Sequence, residues 1–308
     1  MTEEFKSIFN AYMKAGKAVV AAKKKAREIT IPGASYLDIA EICETEIIKN
    51  GASLAFPINM SLNEQAAHYS PPIDDETRVP ENGLLKIDLG GHIEGYIADS
   101  AFTINLGEDP KLQTYIDAAH AGLEAAIDNF TPGTKLYQLG DVIDKEIKNF
   151  GLNPIKNLGG HKLKQHNLHA GEFIPNYKAT QHDEVLQPGD AYACEPFSTS
   201  GIGMVVNGKT SYIYRFEKKV IKNMGYDEKN YINKIENVCG KLPFSPRLLL
   251  TQNAIPKSKI TRIINQFLRK GILDHYPILM ERTNAPVAQQ EHTIIIDMDG
   301  KTHVTTRE

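Results

Sequence analysis

A helix-sized segment with the same punctuation occurs twice in this chain, 100 positions apart: Pro32-Gly33 to Asn50-Gly51, then Pro132-Gly133 to Phe150-Gly151. Proline and glycine mark helix ends, the one lacking an N–H and the other adopting left-handed backbone freely. Between the marks, Ile39, Ile42, Glu46 and Ile47 align with Leu139, Val142, Glu146 and Ile147. The segments after the two helices are also alike. His68, the turn Asn82-Gly83 and a strand carrying Asp88 correspond to His161 and His169, Pro188-Gly189 and the strand Ala191-Tyr192-Ala193-Cys194-Glu195. This pattern predicts two similar αβ halves that share a sheet, with helices on one of its faces, and each half delivers histidine and carboxylate to a common place. The expected fold class is α+β.

Ahead of the first repeat, residues 3–28 show a helical apolar period at Phe5, Ile8, Phe9, Tyr12, Met13, Ala15 and Val19. Lys23-Lys24-Lys25 is read as the solvated face of that helix. Ser35 with Asp38 is a capping-box variant that opens the second helix. Residues 207–276 break the repeat: Tyr226–Val238 and Lys257–Lys270 read as helices, which predicts a compact helical insertion. The remainder, 1–206 and 277–308, forms the main domain, and Thr293-Ile294-Ile295-Ile296 is a buried strand that Glu291 enters.

Composition narrows the function classes. A formal charge of −3 and a pI near 6.4 give no electrostatic case for nucleic acid as the partner. Cys43, Cys194 and Cys239 are widely spaced and odd in number, which offers neither a disulfide framework nor a CxxC zinc site and suits a reducing cytoplasm. No apolar run reaches the roughly 18 residues of a membrane span, and the acidic start Met1-Thr2-Glu3-Glu4 is unlike a signal peptide.

The chemistry is concentrated in acids set among apolar strand residues. Leu84 to Leu89, Gly90-Gly91 and Tyr96 to Phe102 read as a β-hairpin. A turn centred between Ile93 and Glu94 would place Asp88 directly opposite Asp99. Carboxylates so paired have Cβ atoms about 5 Å apart and repel by roughly 3 kcal/mol at an effective dielectric of about 20. A shared proton, an arginine or a cation would offset this, and a cation explains best why both acids stand among Leu, Ile, Ala and Phe. Glu195 and Glu291 have the same placement. His161, within Gly159-Gly160-His161, and His169 and His68, each flanked by alanine, leave room for a ligand beside their rings. His92 and His292 lie close enough in sequence to the acids to support them. Four carboxylates and one imidazole balance two divalent ions, and oxygen-rich ligation with one nitrogen suits Mn, Fe, Co or Zn. The chemistry implied is metal-assisted hydrolysis.

Several segments resemble the type 2 methionine aminopeptidases: Asn63 to Pro71, Lys86-Ile87-Asp88, Ala98-Asp99-Ser100-Ala101, Gly160-His161, Leu168-His169-Ala170-Gly171, Cys194-Glu195-Pro196-Phe197 and Gln290-Glu291-His292-Thr293. The resemblance spans nearly the whole chain, includes the insertion that separates type 2 from type 1, and is similar to the short archaeal form. It implies the pita-bread fold, pseudo-symmetric halves around a curved antiparallel sheet with a winged-helix-like insertion. It also implies that Asp88, Asp99, His161, Glu195 and Glu291 bind two metal ions, Asp99 and Glu291 bridging both. Glu195 would be general base for the bridging water, His169 would contact the scissile carbonyl, and His68 would lie near the scissile nitrogen. Phe56 and Tyr276 resemble the floor and rim of the methionine pocket. The implied substrates are N-terminal methionine peptides and nascent chains with a small second residue, handled by a cytoplasmic monomer. Ser70 replaces the usual threonine, Cys194 an apolar residue, and Ser211-Tyr212 a region where some relatives carry histidine. Xaa-Pro aminopeptidases and prolidases share the fold but usually carry a preceding domain, for which His68 comes too early. A non-catalytic binding paralogue is the other alternative, and all five ligand positions are intact here.

Overall fold

Alanine sets the distance between the first helix and the sheet. Helix α1 (Glu3–Ile29) buries Ala15, Ala18, Val19, Ala22 and Ala26 on one stripe, and side chains this small let it lie close to the strands beneath. Lys23 belongs to that stripe, one turn after Val19. It is 3 % exposed, with Nζ 3.0 Å from the Ser100 hydroxyl and 3.7 Å from Glu308. The expectation of a fully solvated lysine run is therefore corrected: Lys24 is exposed and Lys25 pairs with Glu28, but Lys23 points inward because helical periodicity puts it there.

This computed structural model describes residues 3–217 and 224–308. Met1 and Thr2 of the acidic start, and residues 218–223 of the expected insertion, lie outside them. After α1 come α2 (Tyr36–Lys49), β1 (Ser53–Leu62), β2 (Gln65–Ala67) and the hairpin β3 (Gly83–Ile93) and β4 (Tyr96–Leu106). The helical order then repeats in α3 (Pro110–Asp128) and α4 (Leu136–Asn149), followed by β5 (Asn153–Pro154), β6 (Gly159–Lys162), β7 (Phe173–Pro175), β8 (Ala191–Cys194) and β9 (Phe197–Thr199). Strand β10 (Val205–Phe216) leads to α5 (Tyr226–Cys239), α6 (Pro246–Thr251) and α7 (Lys257–Arg269), and β11 (Leu273–Glu281) returns antiparallel to it. Strands β12 (Val287–Gln289), β13 (His292–Ile296) and β14 (Thr302–Val304) complete the order. Positions 207 and 276 fall inside β10 and β11. Helices α5–α7 enclose an apolar cluster of their own that includes Ile235, Phe244, Ile260, Ile264 and Phe267.

The repeat is visible in the backbone. Before α2, Gly33 donates to Val79 and Val79 donates to Ala34; before α4, Gly133 donates to Leu186 and Leu186 donates to Thr134, all at 2.8–2.9 Å. Tyr36 and Leu136, the first residues of the two helices, donate to Thr77 and Glu184 at 3.0 Å each. Each half thus ties the start of its second helix to a returning loop in the same way.

Among the described residues all strand pairings are antiparallel, and the backbone ladders form four sets: β1-β3-β4, β10-β11-β2, β12-β9-β5 and β14-β13-β8-β6-β7. Hydroxyl groups bridge the seam between β4 and the β12–β13 segment. Thr293 Oγ1 accepts from the Asp99 amide at 2.7 Å and donates to the Asp99 carbonyl at 2.8 Å. Thr103 Oγ1 does the same for the amide and carbonyl of Gln289, and Ser100 Oγ donates to the Glu291 carbonyl at 2.7 Å. These bonds join strands that belong to different ladders, and they bring Asp99 and Glu291 together.

Candidate active site

The β3–β4 hairpin supplies two of the acids. Its turn is Glu94-Gly95, both with positive φ (52° and 88°), and it pairs Asp88 with Ala101 and Gly90 with Asp99. The turn expected from the sequence lies one residue early, because a glutamate rarely takes left-handed backbone. Asp88 and Asp99 are consequently diagonal neighbours and not directly opposed. The shift of two in pairing leaves both on the same face of the hairpin, since side chains alternate with a period of two.

His161 on β6, Glu195 just after β8 and Glu291 just before β13 come from the second half and the final segment. His161 Nε2 lies 3.6 Å from Asp99 Oδ2 and 3.7 Å from Glu195 Oε1. One ligand atom from each of Asp99, His161 and Glu291 falls within 4.8 Å of the others, all three residues buried. Gln289, which no sequence motif singled out, donates from Nε2 to Glu195 at 3.2 Å and to Glu291 at 3.4 Å. Two residues before Glu291 on an extended segment, it shares that acid's face; the Gln-x-Glu spacing is the signal that points to it.

Electrostatics shows what this cluster lacks. Burial and then mutual charge hold Asp99, Glu195 and Glu291 well above the ordinary carboxylate range, and burial pushes Asp88 up to about 7. Burial, with the neighbouring His169, keeps His161 well below its usual value and so neutral. Oδ1 of Asp88 and Oδ1 of Asp99 are buried without a hydrogen-bond partner. Four converging acceptors, no cationic side chain among them and a neutral imidazole are the donor set a divalent ion requires. The residues fit the metal.

The other histidines flank the same space. His68 follows β2 with φ 71°, a left-handed conformation uncommon for a non-glycine residue. Its Nδ1 lies 3.1 Å from the Pro277 carbonyl, which can only accept, so Nδ1 carries the proton and Nε2 is free to accept. Burial lowers His68 and His169 to about 4, so both are neutral at pH 7. Tyr276 bridges them, its ring centroid 5.4 Å from that of His68 and 6.0 Å from that of His169.

A cavity of about 220 Å³ joins these groups, with apolar walls from Phe56, Leu158, Phe197 and Ile213. The Phe56 ring occupies the place where a Cβ on Gly90 would stand, 2.3 Å from its nearest carbon, so glycine there is a requirement of the cavity floor. Ile213, rather than Ser211 or Tyr212, lines the cavity among the described residues. Cys194 points away, into the apolar cluster beneath α4. His92 and His166 lie elsewhere, their rings 5.7 Å apart, and His292 Nδ1 is 2.9 Å from the Thr306 hydroxyl. A larger groove of about 1050 Å³ lies between α1 and α3, but its lysine, arginine and glutamate side chains largely pair with one another.

Fold, metal-competent cluster and sequence agree on a class: the profile of Metallopeptidase family M24 matches residues 10–224, and the chain belongs to that family. Within it the chain is similar to methionine aminopeptidases, being 42% identical over 291 residues to that of Saccharolobus solfataricus, which covers 94% of this chain and 95% of the relative. These relatives place it among the type 2 methionine aminopeptidases, as a metallo-exopeptidase. Two solved structures share the pita-bread fold at low identity. A thermophilic Arx1 superposes with a TM-score of 0.84 at 17% identity, covering 97% of this chain and 90% of that one. The methionine aminopeptidase of Thermotoga maritima superposes with a TM-score of 0.71 at 22% identity, covering 100% and 98%.

Proposed function

We propose that this enzyme removes the N-terminal methionine from peptides and nascent chains whose second residue is small, using two divalent ions drawn from Co, Mn, Fe or Zn. The observation that carries this reading is a cluster of four carboxylates, Asp99 and Glu291 buried and Asp88 and Glu195 half-buried against an apolar cavity, each raised by desolvation and most by one another. Asp88, Asp99, His161, Glu195 and Glu291 would hold the metal ions. Bound there, the ions acidify water and polarise a carbonyl.

The remaining steps belong to the side chains. Glu195, partly accessible from the cavity and oriented by Gln289, takes the proton of the attacking water and passes it to the leaving nitrogen. His68 accepts the scissile N–H at Nε2. His169, neutral and adjacent, donates to the carbonyl oxygen as negative charge develops on it. The cavity is smaller than the roughly 300–1,000 Å³ of pockets for drug-sized ligands, which suits one unbranched side chain; methionine, flexible and polarizable, fits Phe56 and Phe197. Residues 207–276 act as a separate unit that closes one wall through Ile213, Pro243 and Tyr276.

Metal-loaded protein should cleave Met-Ala-Ser and leave Xaa-Pro peptides intact. Glu195→Gln should lower kcat about 10²–10⁴-fold. Cleavage that survives thorough chelation, or activity confined to Xaa-Pro peptides, overturns the proposal.

A further inference from the structure

Strand β1 carries a bulge beside the cavity. From Phe56 to Asn59 the chain advances three residues, while its partner β3 advances two, from Gly90 to Asp88. In regular alternation residues three apart face opposite sides of a sheet. The extra residue brings both Phe56 and Asn59 to the cavity, and Asn59 stands directly across from Asp88. Pro57, which has no N–H to place in a ladder, sits within the bulge.

Asn59 is 4 % exposed. Its Nδ2 donates to the Pro57 carbonyl at 3.1 Å, which fixes the orientation of the amide. Oδ1 is buried with no partner. The neighbouring side chains supply no donor once metal is bound: Asp88 is then an ionised ligand, Phe56 is apolar, and Gly90 has no side chain. Oδ1 is therefore available to a donor that enters the cavity with the ligand. Of the N–H donors at the scissile end of a peptide, the amide is taken by His68, which leaves the free α-amino group for the Asp88 side of the cavity.

We propose that Asn59 is a specificity residue, whose Oδ1 accepts a hydrogen bond from the α-amino group of the bound N-terminal residue beside Asp88. The inference rests on the aminopeptidase reading. It adds a protein contact that tests for the amine independently of the metal.

Calorimetric titration of the manganese-loaded protein with methionine and with 4-(methylthio)butanoic acid, the same molecule without its amine, tests it. Asn59→Ala should bind methionine about tenfold more weakly and the deaminated acid within about twofold of wild type. Asn59→Asp, which keeps an acceptor in place, should retain the preference for methionine. Manganese titration of metal-free Asn59→Ala should give the wild-type stoichiometry, showing an intact site. Equal weakening of both ligands by Asn59→Ala, or no weakening of either, overturns the assignment. A wild type that prefers methionine while Asn59→Ala keeps that preference in full removes Asn59 alone. A wild type without the preference, and without cleavage of Met-Ala-Ser, removes the aminopeptidase reading and this inference with it.

Discussion

Asp88 and Asp99 share a hairpin face but not an environment. Asp99 is 3 % exposed, lies within 3.6 Å of His161 and shares a ligand-sized space with Glu291, whereas Asp88 stands at the edge beside Asn59. On the proposed two-ion site, Asp99→Ala should therefore lose metal more completely than Asp88→Ala, as read by metal content after dialysis. Equal content in the two variants would remove the distinction. Lys23 gives a pH dependence of known sign. Burial lowers it from 10.5 to about 8, so between those values the unfolded chain holds a proton that the folded chain has lost. Stability contributed by this group is lowest below about pH 8 and rises as pH climbs toward 10.5. In Lys23→Met that rise should be absent, a difference visible in urea midpoints measured at about pH 8 and about pH 10.

The hairpin turn is an element with two tasks. Gly95 closes β3–β4 at φ 88°, and a Cβ there would fall 2.4 Å from the His166 ring, which docks on the turn while the His166 amide donates to the Gly95 carbonyl at 2.8 Å. The loop between His161 and His169 is thereby fastened to the strands that carry Asp88 and Asp99. Gly95→Ala should cost about 1–3 kcal/mol in urea unfolding, through backbone strain and the displaced ring. Much of this architecture was legible in the chain. Pro-Gly punctuation located α2 and α4, and acids among Leu, Ile and Ala marked the carboxylate cluster, because burying charge is too costly to occur without purpose. Features set by a single extra residue were not legible. A left-handed Glu94 displaced the hairpin register, and a bulge at Pro57 turned Asn59 inward; neither alters composition or period. Lys23 was misread because a run of three lysines hid the stripe position that one of them occupies.

Across the whole molecule, one buried ion pair ties the helical segment to the first half. Arg247 on α6, 2 % exposed, donates from both terminal nitrogens to Glu44 on α2, and its Nε donates to the Pro71 carbonyl three residues beyond His68. Arg247→Met leaves the Glu44 carboxylate buried and unpaired, and should cost about 3–5 kcal/mol; Glu44→Met/Arg247→Met should recover much of that. Thermal unfolding of the wild type and both variants checks the two statements. The hydroxyl seam has a consequence of a different kind. The amides of Asp99, Gln289 and Glu291 are bonded across it to Thr293 Oγ1, Thr103 Oγ1 and the Ala101 carbonyl. None of the three can trade its proton with solvent until the halves part, so their hydrogen-exchange rates form a clock for that parting. Any ion clasped by carboxylates from both sides slows the clock, and these three protons report occupancy of the centre without a substrate.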